Sequence, residues 1–471
     1  MTGSPPAPPA RLSGGRLPAN RFLVQPLPLL FAVTAGPVVL VMVVNGLHAL
    51  VDAWFLGRYV GAAALTAVTL MFPAYMVLVA LSMGLAAGFG SIFARRLGAG
   101  DRDGAGHGYA QALGLALAVC LLLILAFQAG GAALALWFAD GDAGLAAMGR
   151  SWLGILVLGA PLGFLLAINV NALRSEGLLR AMTAVTLLSA ALNIGFDWLF
   201  VARLGWGVPG SAWATVLAQA LAVLAIAGIR LRRGSAMLLR RGHWRPDRRR
   251  WGEMLALGAP TSLGYIGLSL TAAATLYALQ LWGGDYPTLS AAFGIVTRIL
   301  TFAFMPLIGF GLAFQTILGN NYGGGAWARS NTALVIAIAC ATGYCAAVQA
   351  GLAGFAPAIG AVFVDDPAVQ QAVARILPLN TAALVLFGPL MMIGAYFQAI
   401  GDAGRAAILG LSRTYAFSLP LIFALPLALG EPGIWLAGPV AEGLVLLLTI
   451  AVLTARARSS GKRWGMLEGV G

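Results

Sequence analysis

The chain has 471 residues, 60% of them hydrophobic and only 10% charged, with a formal net charge of +13 and a mean hydropathy of +0.88. Soluble globular chains carry about 25% charged residues, so the composition excludes a soluble fold and indicates a polytopic membrane protein. The apolar runs are long and lack strand-period alternation, which excludes a transmembrane barrel.

Residues 1–24 are rich in Pro, Gly and Ala and read as a disordered cytoplasmic tail. No basic region followed by a short apolar core and a cleavage site stands near the start. Twelve apolar spans follow, at 29–57, 64–93, 107–137, 150–171, 180–203, 209–230, 255–281, 290–318, 331–354, 373–396, 406–428 and 433–454. Each is near the ~20 residues that a bilayer requires. Six spans lie in 25–230 and six in 255–456. A basic linker, 231–254, separates these two expected lobes, and 457–471 forms a second tail.

Asn45, His48 and Asp52 in the first span are spaced by three and four, so they share a helix face, and Pro37 lies about two turns earlier. A carboxylate inside a span costs ~2.5–3.5 kcal/mol on insertion scales, and such residues usually face a protein interior or watery cavity. A packed neutral histidine is the bland reading of His48. The sharper one is a hydrogen-bond partner that tunes Asp52. Met71, Met76 and Met83 in the second span read by default as packing residues. Cys120, Cys340 and Cys345 all fall inside spans and read as small core residues, with no disulfide or metal site.

The basic residues alternate in density from loop to loop. Arg95, Arg96 and Arg102, Arg174 and Arg180, the run Arg230 to Arg250, Arg329, Arg405 and the group Arg456 to Arg463 fall on one set of loops. Arg58, Arg150, Arg203 and Arg375 fall on the other. This asymmetry predicts that both termini and the 231–254 linker are cytoplasmic. A basic segment beside spans reads as lipid-facing, so no nucleic-acid partner is expected.

The halves repeat. Gly84, Gly98 and Gly100 recur as Gly309, Gly323 and Gly325, an offset of 225. Gly207, Pro209, Gly210 and Gln219 recur as Gly430, Pro432, Gly433 and Glu442, an offset of 223. An even number of spans per half implies a pseudo-twofold axis along the membrane normal, the architecture of a two-lobed transporter that rocks about a central cavity.

Of the 16 acids, only Asp52, Asp197 and Glu442 lie well inside spans. Asn193 is four residues before Asp197 on the same face, and Thr215 is in the sixth span. Asp52, Asp197 and Thr215 fall at matched depth in the outer half of the N-lobe. Two carboxylates, an amide oxygen and a hydroxyl suit Na⁺ or a shared proton. Two close carboxylates in low dielectric do not both stay charged, so one should hold a proton. A static hydrogen-bond network is the alternative. In the C-lobe, Arg298 and Glu442 also match in depth, which predicts a buried ion pair between them. Arg413 reads as a snorkelling residue without a role.

With these residues in view, the chain resembles the multidrug and toxic compound extrusion (MATE) family, in its DNA-damage-inducible (DinF-like) branch. The resemblance covers nearly all of the chain after the tail. It rests on Pro37 and "VDAWFLGRYVG", on "GLAAGFGSIFARRLGAGDRDGA", on "LNIGFDWLF", on "GVPGSAWATVLAQ" and, in the second half, on "FQAIGDAGRAA". It implies an all-α integral membrane fold of twelve helices in two six-helix lobes. It implies an antiporter, monomeric and in a bacterial inner membrane, that expels drug-like organic cations or amphiphiles in exchange for H⁺ or Na⁺, with no cofactor. Asp52, Asn193, Asp197 and Thr215 match the family's N-lobe cation site, and Pro37 matches a proline proposed to let the first helix bend. His48 departs from the aromatic residue expected there, and spans 7 and 10 carry no acid, unlike another branch of the family. A flippase of lipid-linked oligosaccharides is the alternative within the same superfamily. No DxxxD or DDxxD motif is present, so a membrane transferase is not expected.

Overall fold

The computed structural model describes residues 20–233, 240–461 and 466. Its N-lobe consists of α1 (Arg21–Val24), α2 (Leu27–Phe55), α3 (Ala62–Gly98), α4 (Arg102–Phe138), α5 (Ala143–Ser175), α6 (Leu179–Asp197) and α7 (Gly207–Arg233). The C-lobe consists of α8 (Arg248–Trp282), α9 (Tyr286–Gly323), α10 (Trp327–Gly354), α11 (Ala356–Phe363), α12 (Pro367–Asn380) and α13 (Leu384–Ile400). It continues with α14 (Ala403–Leu411), α15 (Leu419–Ala424), α16 (Pro426–Leu429) and α17 (Glu431–Ser460). No strand occurs among the described residues. Eleven helical spans are long and apolar enough to cross a membrane, and α12 with α13 makes a twelfth that is bent by 48°.

Helix starts follow from the loop carboxylates. Asp101, Asp142, Asp247, Asp285, Asp366 and Asp402 each accept a hydrogen bond from a backbone N–H in the first turn of the helix that follows. This satisfies donors that a helix N-terminus otherwise leaves free. These acids are therefore structural, which leaves the intramembrane acids as the candidates for chemistry.

Three segments wind as π-helix: Leu56–Val60 after α2, Trp198–Arg203 after α6, and Ser412–Ser418 between α14 and α15. Such bulges re-aim the side chains beside them and recur at functional sites. The tenth span, expected as one helix over 373–396, is broken instead at Thr381–Ala383. Pro378 and Pro389 flank the break, and neither can donate a backbone hydrogen bond. Gln349 of α10 replaces the lost partners: its Nε2 donates to the Ala382 carbonyl at 2.9 Å and its Oε1 accepts from Val385 N at 2.8 Å. Internal satisfaction of this kind is what permits irregular backbone at membrane depth.

The expected tails and linker are corrected at their inner edges. Residues 1–19 lie outside the described residues, but Arg21–Val24 forms a helix within the expected 1–24 tail, because Phe22 is buried in a C-lobe core cluster. α8 begins at Arg248, inside the expected 231–254 linker, where the Asp247 cap starts it. α17 continues to Ser460. Beyond it Met466 is buried, and its carbonyl accepts from the Tyr396 hydroxyl.

The lobes meet where α3 packs on α8, α2 on α9, and α3 on α9. Under a twofold that exchanges the halves, the first two contacts are equivalent and the third is its own mate. The repeat offset reappears in this last contact. A Cβ on Gly98 would stand 2.0 Å from the Asn320 carbonyl oxygen, and one on Gly323 would stand 2.0 Å from that of Arg95. Asn320 and Arg95 differ by the same 225 residues as Gly323 and Gly98. Only glycine admits so close an approach of two helix backbones.

Polar contacts between the lobes concentrate at the end that carries Arg95, Arg174 and Arg329. Arg95 Nη1 donates to the Ala399 carbonyl at 3.1 Å, and its Nη2 pairs with Glu253 at 3.1 Å. Arg174 Nε donates to Thr316 Oγ1 at 3.0 Å. α1 lies across the seam: Asn20 donates to Asn320, Arg21 donates to the Gly177 carbonyl, and Arg329 donates to the Phe22 and Gln25 carbonyls.

Candidate functional site: an intramembrane carboxylate cluster

α2, α6 and α7 converge within the N-lobe. Asp52 lies in the last turn of α2 and Asp197 is the last residue of α6, each just before a π-helical segment. Asp197 and Asn193 are buried, at 0% and 2% exposure, while His48 and Asp52 are half-buried.

Asn193 is the hub. The amide orientation that satisfies every neighbour sends its nitrogen to His48 and Asp197 and its oxygen to Thr215. Nδ2 then donates to His48 Nε2 at 2.5 Å and to Asp197 Oδ2 at 3.0 Å. Oδ1 accepts from Thr215 N at 3.2 Å and from its Oγ1 at 3.1 Å. His48 therefore accepts at Nε2 and carries its proton on Nδ1, the neutral tautomer.

Asp52 and Asp197 are within hydrogen-bonding reach of each other. Ionised carboxylates only accept, so a direct contact between these two requires a proton or another cation. Asp197 Oδ1 is buried and has no donor. Among the described residues no arginine, lysine or histidine forms an ion pair with Asp197, whose charge environment is dominated by burial and Asp52.

The structure thus brings together Asp52, His48, Asn193, Asp197 and Thr215. The partner that His48 touches is Asn193, not Asp52. Asn45 is on the exposed side of α2. Pro37 lies inside α2, which runs unbroken across it. Sequence reasoning missed Tyr75 of α3, which stands close enough to feel the charge of Asp52 and packs its ring 5.4 Å from Trp152. A hydroxyl in mid-span was its only signal. The methionines do not share a pocket: Met71 is packed in the core and Met83 is exposed.

The predicted Arg298–Glu442 pair is not formed. Glu442 of α17 pairs with Arg413, whose Nε lies 2.9 Å from its Oε1, and Arg298 is exposed. Matched depth made Arg298 a candidate, but depth says nothing of azimuth. Arg413 instead lies in the π-helical segment Ser412–Ser418, which packs directly on α17, and its guanidinium sits 4.2 Å over the Phe387 ring.

The fold matches what comparison with other proteins finds. The MatE family model matches residues 37–199 and 260–424, one stretch in each lobe. "Probable multidrug resistance protein YoeA" of Bacillus subtilis (strain 168) is 22% identical over 423 residues, covering 88% of this chain and 90% of the relative. The "FAD transporter" of Shewanella oneidensis is 25% identical over 418 residues, covering 85% of this chain and 88% of the relative. A solved structure described as the outward-facing conformation of a multidrug resistance MATE family transporter superposes with a TM-score of 0.85 at 26% identity. It covers 95% of this chain and 99% of its own. Two repeated six-helix lobes, an intramembrane acid cluster in the first, and a family match running through both lead to one conclusion: the chain belongs to the MatE family of multidrug and toxin extrusion proteins, and is a transporter, not an enzyme.

Proposed function

We propose that this protein is an antiporter of the DinF-like branch that exports organic cations or amphiphiles across a bacterial inner membrane in exchange for a coupling ion bound at Asp52 and Asp197. The observation that carries this reading is the pair of facing carboxylates without a basic partner, one of them with a buried oxygen that lacks a donor. A site of that kind must draw its neutralising cation from solution. The acid cluster in the N-lobe and the absence of acids from α12, α13 and α8 beyond Glu253 support the branch. Relatives named as multidrug proteins support small-molecule substrates. The same names make a lipid-linked oligosaccharide flippase the weaker reading.

The proton is the better fit as coupling ion. With its oxygen held by Thr215, Asn193 turns a nitrogen toward Asp197. Nitrogen donors complement a carboxylate but repel Na⁺, which takes oxygen ligands. Binding Na⁺ would require the amide to reverse, give up its bonds to Asp197 and from Thr215 N, and keep His48 only by accepting from the other ring tautomer.

Positive-inside orientation places the arginine-rich end in the cytoplasm. The seam closed at that end corresponds to a state open to the outside. Ion entry neutralises Asp52 and Asp197. α2 then repacks near Pro37, where no N–H reaches the Val33 carbonyl. Substrate leaves outward as the ion enters, because the two favour different conformations.

The test is efflux of a fluorescent organic cation in proteoliposomes under separately imposed pH and Na⁺ gradients. Asp52→Asn and Asp197→Asn are each expected to abolish gradient-driven transport while leaving folding intact. Thr215→Ser should keep partial activity, because the hydroxyl survives. Wild-type pumping by Asp52→Asn with unchanged pH dependence would overturn the assignment. Transport driven by Na⁺ alone at constant pH would overturn the choice of proton.

A further inference from the structure

The two lobes treat equivalent places in opposite ways. The fifth and sixth spans carry Asn193, Asp197 and Thr215, with no arginine or lysine paired to the carboxylate. Their repeats, the eleventh and twelfth spans, carry Arg413 and Glu442 joined at 2.9 Å. The offset of 224 between Gly177 and Gly401 puts neutral Ser189 where the C-lobe has Arg413, and the offset of 223 puts Gln219 where it has Glu442.

The pair is deep. Glu442 is eleven residues into α17, about 16 Å from that end at 1.5 Å per residue, and Arg413 is ten residues, about 15 Å, from the start of α14. Side-chain exposure is 11% for Glu442 and 21% for Arg413. Glu442 Oε2 is buried without a donor, so Arg413 is the partner that neutralises it. Among the described residues, the titratable group that faces Glu442 apart from Arg413 is the buried Cys345 thiol of α10. Phe387 of α13 closes the other face of the guanidinium.

A carboxylate at this depth needs a cation. In the N-lobe that cation must come and go. In the C-lobe it is covalently attached to the chain and, being an arginine, does not give up its proton. On the reading that the N-lobe cluster exchanges the coupling ion, we propose that Arg413 is a tethered substitute for that ion at Glu442, which withholds the C-lobe carboxylate from exchange and confines coupling to the N-lobe. Arg413 is thereby a residue that sets how many ions are exchanged per substrate.

The test uses the full chain in lipid and two readouts that a merely structural ion pair would not move. One is the number of protons exchanged per substrate, from the pH gradient that balances a fixed substrate gradient. The other is the infrared band of a protonated carboxylic acid. The charge-neutral double variant Arg413→Gln/Glu442→Gln should exchange as many protons as wild type, and Arg413→Lys should resemble wild type in both readouts. Arg413→Gln alone should exchange one more proton per substrate than wild type, and should gain a protonated-acid band at neutral pH that the double variant lacks. A loss of one exchanged proton in the double variant would place Glu442 among the exchanging groups and overturn the proposal, as would an Arg413→Gln variant with wild-type stoichiometry or without the added band. If Arg413→Gln does not fold, the double variant and Arg413→Lys still decide it. Failure of the underlying reading looks different: Asp52→Asn and Asp197→Asn would then pump normally.

Discussion

At the scale of single residues, the N-lobe cluster depends on one amide. Asn193 partners His48, Asp197 and Thr215 at once. Asn193→Ala leaves Asp197 without its side-chain donor in a buried setting, a loss of about 1–3 kcal/mol. It should lower the thermal unfolding midpoint in detergent and abolish coupled efflux. His48→Phe frees only one of the two Nδ2 donors, so the drop in midpoint should be smaller and transport should persist. Equal effects from the two variants would show that Asn193 is not the hub. The residue types and the spacing of four between Asn193 and Asp197 made this cluster legible in the sequence, since polar groups in apolar spans stand out. Tyr75 and Arg413 were not legible in the same way: one is an ordinary membrane tyrosine, and the other reads as a snorkelling arginine until its partner is seen.

At the scale of elements, the irregular segments decide where side chains point. The π-helical turns after α2 and α6 adjoin Asp52 and Asp197, and the one in the eleventh span holds Arg413. Hydropathy cannot reveal them, because a π-bulge changes the winding and not the composition. The close crossing of α3 and α9 is the other decisive element contact. Gly98→Val or Gly323→Val would drive a side chain into a backbone carbonyl of the opposite lobe. Overpacking of this kind costs about 1–3 kcal/mol. Each variant should unfold at lower temperature and should reduce disulfide formation between cysteines placed at Asn20 and Asn320, which face each other across the seam. Gly108→Ala, whose added carbon meets nothing within 4 Å, should leave both measurements unchanged. Undiminished cross-linking in Gly98→Val would show that the lobes do not close on this contact.

At the scale of the whole molecule, charge and topology predict the orientation. If the arginine-rich end is cytoplasmic, a cysteine at the exposed Gly242, in a chain with Cys120, Cys340 and Cys345 replaced by Ala, is out of reach from outside. An impermeant maleimide added to intact cells should leave it unlabelled and should label it after the membrane is opened. Rapid labelling in intact cells would reverse the orientation and, with it, the direction assigned to transport.

The sequence by itself determined the membrane class, the twelve spans, the twofold repeat and the residues of the N-lobe cluster. Each of these follows from local composition or from spacing along one chain, and a bilayer penalises polar groups strongly enough to make such signals clear. Only the tertiary structure decided that Glu442 pairs with Arg413 and not with Arg298, that the tenth span is bent, and that α1 is held across the seam. Those outcomes depend on the rotation of one helix against another and on which freed backbone groups a distant side chain can reach. Sequence depth fixes how far along a helix a residue lies, while azimuth and partners are set only when the helices pack.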